Sequence, residues 1–106
     1  MKLKADWSIK DYGYKPYEEA EVLPVEQILE LAKKLKAHND IIYLFHPTEP
    51  SDRMAIKPSE VGGIKVEVHG HGGKFVLHTD LKKLEELLNN FMPVNDRPPD
   101  YGFEYV

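Results

Sequence analysis

Hydrophobic and polar residues alternate through Ile64, Lys65, Val66, Glu67, Val68 and His69, and again through Lys74, Phe75, Val76, Leu77 and His78. A period of two, met twice, predicts two β-strands. Gly70, His71, Gly72 and Gly73 lie between them, and glycine enters left-handed turn conformations without steric cost, so the pair reads as a β-hairpin. Whether the loop has two residues or four, Ile64, Val66, Val68, Phe75 and Leu77 fall on one face. The period then changes. Leu81, Leu84, Leu87, Leu88 and Phe91 recur at helical spacing behind Thr79 or Asp80 as N-cap, which predicts an amphipathic helix.

Earlier in the chain, Leu3, Ala5, Trp7 and Ile9 alternate with polar residues and predict a strand with one buried face. Residues 11–23 have no sustained period; they hold Gly13, Pro16, Tyr12, Tyr14, Tyr17 and the acidic Glu18, Glu19 and Glu21, the signature of an extended loop. Residues 24–37 read as a helix, with Pro24 in its first turn and Val25, Ile28, Leu29, Ala32 and Leu35 on one stripe. The continuous apolar run Ile41, Ile42, Tyr43, Leu44 and Phe45 reads as the middle strand of a sheet. A shorter strand is predicted over residues 53–57, a turn over 59–63, and a short strand within 101–106. Together these give a two-layer α+β domain of about four to five mostly antiparallel strands with two helices. Its compact core spans residues 24–91, between an aromatic N-terminal arm (1–23) and a Pro-rich C-terminal tail (92–106).

At 106 residues the chain is one domain that buries only about 60 to 65% of its unfolded surface, too little to enclose a large active-site cavity. The formal net charge of −4, with both signs interspersed, predicts no nucleic-acid partner. The absence of cysteine removes disulfides, thiolate nucleophiles and Cys-based zinc sites. Apolar runs too short to span a bilayer and charges among the first ten residues predict a soluble cytoplasmic protein without a membrane partner. Abundant Lys and Glu with a single Gln lean towards a hyperthermophile.

Candidate chemistry centres on the hairpin. His69 and His71, two apart, share a face if the strand is extended, and are the candidate metal ligands. A loop of Gly72 and Gly73 alone sets His78 diagonally from His69, roughly 7 to 8 Å between backbones, whereas a four-residue loop carries it out of reach. The glycines lack the following helix and the Gly-Lys-Ser/Thr sequence of a phosphate loop. None of the three serines sits in a nucleophile elbow, and the Glu18, Glu19 and Glu21 run has no acid–base partner. No catalytic residue and no cofactor are assigned, and the chain reads as a non-enzyme. The two ends hold the only Trp, five of the six Tyr and one Phe. Trp7, Tyr12, Tyr14, Tyr17, Phe103 and Tyr105 are therefore the expected subunit or partner contacts. The rival reading is a small-molecule or metal-binding module, or a minor enzyme, on the His69 and His71 face.

The run from Met54 through Ala55, Ile56, Lys57, Pro58, Ser59, Glu60, Val61, Gly62 and Gly63 into the hairpin, followed by Lys74, Phe75, Val76, Leu77, His78, Thr79, Asp80 and Leu81, resembles the small A-domain, or family 4, encapsulins of hyperthermophilic archaea. The resemblance covers residues 24–91. It implies the fold of the axial domain of a tailed-phage capsid protein, a structural role, self-association into a homo-oligomer and scaffolding of a metabolic enzyme encoded nearby. It carries over no catalytic residues. The chain is too short for the spine helix, extended loop and peripheral domain by which full encapsulin subunits interlock, which favours a smaller oligomer or a coat on a partner enzyme over a closed shell.

Overall fold

The computed structural model describes residues 2–48, 53–70, 73–90 and 101–106. Strand β1 (Lys2–Ile9) turns into β2 (Gly13–Lys15), a 3₁₀ turn (Tyr17–Glu19) and β3 (Glu21–Pro24), and the chain then enters helix α1 (Val25–Ala32). Strands β4 (Ile41–Phe45), β5 (Met54–Pro58), β6 (Ile64–Gly70) and β7 (Gly73–Thr79) lead to helix α2 (Leu81–Asn90) and the two-residue β8 (Glu104–Tyr105). All join one sheet, in the order β2-β1-β4-β5-β6-β7-β8, with every pairing antiparallel. β3 also pairs with β1: Lys2 to Ala5 face β3 while Trp7 to Ile9 face β2, so the two short strands together form one interrupted margin.

The α+β build with two helices and an antiparallel sheet is as the pattern predicts, but the strand number is eight rather than four or five. The surplus comes mainly from the 11–23 stretch, where β2 and β3 are too short to display a period. Their extended form is set by hydrogen bonding to β1 rather than by side chains of their own.

One face of the sheet carries the core. Leu3, Ala5, Trp7 and Ile9 of β1 line up through the register with Ile42 and Leu44, Met54 and Ile56, Ile64, Val66 and Val68, and Phe75 and Leu77. Over them lie α1, through Val25, Ile28, Leu31 and Ala32, and α2, through Leu84, Leu87 and Leu88. Each fully buried leucine contributes about 2 kcal/mol. The compact part thus begins at Lys2. The stretch expected as an arm supplies an inner strand, with Leu3 and Ala5 wholly buried and Trp7 only 8% exposed.

Local details follow from single residues. Asp80 is the N-cap of α2, its Oδ1 accepting the Lys83 N–H at 2.9 Å. Helix α1 stops at Ala32 and not near residue 37, because the Asp40 carboxylate accepts the N–H groups of Lys36 and Ala37 at 2.9 and 2.8 Å and draws the chain out of the helix. The turn after β5 closes through Ser59 N–H to the Gly63 carbonyl. Gly63 sits at φ +75°, and a Cβ there would lie 2.5 Å from the Thr79 carbonyl oxygen, so only glycine fits. β4 lies inside the sheet between β1 and β5, but β5 is the middle of the strand path.

Candidate functional site

The helices cover one face of the sheet; the other has no second layer among the described residues. Strand alternation and register fix what stands on it, in three rows. The central row runs Asp6, Tyr43, Ala55, Glu67, Val76 and Glu104. On one side of it lie Ser8, Ile41, Lys57, Lys65 and His78, with Tyr14 opposite Ser8. On the other lie Val22, Lys4 and Phe45, then Arg53, whose carbonyl accepts the His69 N–H, and His69 with Lys74.

The two ends of this face differ in chemistry. At the β2–β3 margin the surface is aromatic and apolar: Tyr14 is 72% exposed, Tyr17 56% and Val22 48%. Tyr17 meets Phe45 edge to face with centroids 5.3 Å apart, and the Lys4 ammonium lies 5.1 Å from the Tyr17 ring centre. Arg53 stacks over Tyr43 at 5.0 Å. Glu18 of the 3₁₀ turn lies close enough to Asp6 to act on its charge. At the β5–β7 end the surface is an ion lattice around buried Glu67, which has His69 Nε2 at 3.4 Å, Lys65 Nζ at 3.6 Å and Lys74 Nζ at 3.8 Å. Lys65 is shared with Glu60 at 3.1 Å.

The two buried carboxylates of the central row shift in opposite directions. Burial pushes the Asp6 carboxyl above the usual range; Arg53 works against this, Glu18 adds to it and Lys4 opposes it. Burial acts in the same sense on Glu67, but Lys74, Lys57, His69 and Lys65 together outweigh it and hold Glu67 below the usual range. Glu67 is a charge anchored under cations, whereas Asp6 is a charge short of them.

The six aromatic residues expected at an interface lie in three places. Tyr14 and Tyr17 stand on the uncovered face. Trp7 and Tyr12 lie on the helix side, in a cleft of about 310 Å³ with Glu21, Leu23, Gln27, Glu30, Leu31 and Lys34. Trp7 is there as a core residue, overlaid by Lys15 at 5.7 Å, while Tyr12 is overlaid by Lys34 at 4.8 Å. Phe103 packs against the core, and Tyr105 meets Phe75 edge to face at 5.0 Å, beyond β7 at the far margin. Tyr43, Phe45, Asp6 and Glu67 complete the uncovered face without having been singled out by sequence. The signal for the two rings was present in the spacing Ile41, Tyr43, Phe45, which alternates with the core-facing Ile42 and Leu44.

The histidines do not converge. His69 pairs with Lys74 and Gly70 with Gly73, so His78 lies opposite Lys65, four residues further along β7. This is the register of the four-residue reading, with His78 out of reach of His69. His78 Nδ1 instead meets Ser59 Oγ at 2.7 Å. His71 lies outside the described residues, and among those described no group of three His, Asp or Glu could hold a metal ion. No helix of the described chain is long and apolar enough to cross a membrane. No known protein family, curated protein or solved structure matches this chain.

Proposed function

We propose that the chain is a non-catalytic structural protein, encapsulin-like in role, that self-associates and scaffolds a metabolic enzyme. One observation carries this reading: among the described residues one face of the eight-stranded sheet has no second layer, and its β2–β3 margin bears Tyr14, Tyr17 and Val22 at 72, 56 and 48% exposure. Tyrosine supplies wide contact area at small entropic cost and is enriched where proteins meet. The α+β two-layer build is compatible with a capsid axial domain, and the proposed partner enzyme rests on the sequence resemblance alone.

The test is the light-scattering mass of the purified protein, alone and with what it retains from its native host. The expected result is a mass of two or more chains, falling towards one chain in the Tyr14→Ser, Tyr17→Ser double variant with little change in melting temperature. A wild-type monomer at every concentration, retaining no partner, overturns the proposal.

A further inference from the structure

We infer that the outer edge of β7 is a strand-acceptor site with a seat for an aromatic ring at Gly73, and that the chain's own segment 101–106 occupies it and holds it closed. The partner this edge fits is an extended strand with an aromatic side chain opposite Phe75. Three observations carry the inference.

The first is backbone pairing. Val106 N–H donates to the Lys74 carbonyl at 2.8 Å, and Lys74 N–H to the Val106 carbonyl at 3.4 Å. That exchange makes the next pair along, Phe75 with Tyr105, a non-hydrogen-bonded one, in which facing side chains stand closest. The second is the ring. Tyr105 meets Phe75 edge to face at 5.0 Å and lies over Gly73. A Cβ at position 73 would stand 2.6, 2.8 and 3.0 Å from three atoms of that ring, whereas the backbone of Gly73 is outside the left-handed region. Glycine is therefore required here by the ring and not by its own φ. The third is what the segment covers. β7 is seven residues long and carries no proline, and an edge of that length left bare is a template for another chain. β8 pairs with it over only two residues, and Tyr105 and Val106 stay more than half exposed, so a strand seated this shallowly can lift off while β7 remains in place.

The test takes the full chain as Gly73→Ala, Tyr105→Ser and the two combined, with amide exchange followed by NMR and mass by light scattering. Loss of the seated ring is expected to quicken exchange at Lys74 and Val106 by about threefold to tenfold in each single variant. Phe75 and Leu77, whose amides point to β6, keep the wild-type rate. The combined variant matches Tyr105→Ser alone, because the added methyl then has no ring to meet. With the edge opened, all three variants grow in mass beyond wild type as concentration is raised. A peptide of residues 101–106 in excess returns Tyr105→Ser towards the wild-type mass and leaves the combined variant unaffected, since only the former keeps the seat. Unchanged exchange at Lys74 and Val106 overturns the seat. Faster exchange with the wild-type mass at every concentration overturns the closure, and rescue of both variants by the peptide overturns Gly73 as the selecting residue. Should Gly73→Ala also quicken Phe75 and Leu77, and so loosen the fold as a whole, Tyr105→Ser and its peptide decide alone. Each outcome is read against wild type, so none depends on self-association through the tyrosine margin.

Discussion

Asp40 shows how one side chain can join parts of the fold that the sequence keeps far apart. Its carboxylate is 3% exposed and accepts three backbone N–H groups, from Lys10 at 2.9 Å, Lys36 at 2.9 Å and Ala37 at 2.8 Å. It ties the turn after β1 to the loop after α1. The Lys10 amide holds its carboxyl below the usual range; burial opposes this, and the Lys36 and Ala37 amides add to it. Asp40→Ala leaves these donors without their acceptor and is expected to cost about 2–3 kcal/mol in a denaturant melt at pH 7. A depressed folded-state pKa means the native chain binds fewer protons than the unfolded one just below pH ~4. The stabilisation is therefore present above that pH and fades as pH falls through the folded value. The gap between wild type and variant should narrow accordingly in melts repeated towards pH 3. Nothing local in the sequence marks this role, because Lys10, one of the three donors, is thirty residues away and no pattern connects it to Asp40.

Among the elements, the clearest lesson is β1. Its alternation identified a buried face, and Leu3, Ala5, Trp7 and Ile9 occupy that face as expected. Alternation gives a strand its face but not its neighbours, and the pairing of β1 with β2, β3 and β4 could not be read from it. The hairpin and α2 were legible because each is long enough to repeat its period and carries its own turn or cap. β2, β3 and β8, of three, four and two residues, are held by a neighbouring strand's hydrogen bonds, which leave little trace in their composition. The position of β1 makes a plain prediction. A chain starting at residue 24 exposes the β4 edge and the core groups that β1 covers, so it should lose cooperative thermal unfolding. A cooperative melt of that fragment by circular dichroism would place the compact unit where periodicity alone had drawn it.

For the molecule as a whole, net charge concealed the feature that matters most. A balance of −4 over 106 residues describes a weakly acidic surface, yet the register gathers Lys57, Lys65 and Lys74 around Glu67 on a single face, with Glu104 beyond them, and leaves Asp6 with Glu18 near the β2–β3 margin. Composition cannot report such sorting, since it depends on which strands are neighbours. Contacts between exposed charges weaken as the Debye length shrinks from about 10 Å at 0.1 M salt to about 3 Å at 1 M. Self-association carried by these charges therefore loosens as salt is raised across that range, read as a rising dissociation constant in sedimentation equilibrium. An association driven by the tyrosines alone would hold or tighten.

The interrupted margin formed by β2, the 3₁₀ turn and β3 has a further consequence. An open strand of regular length is a template on which another chain can lay its own backbone, and repetition of that step produces threads. Here the template breaks after three residues at Pro16, which has no amide hydrogen to offer, and ends at Pro24, where the chain turns into a helix. Lateral zippering along that side is cut short, so concentrated protein should yield discrete particles of finite stoichiometry and not fibrils.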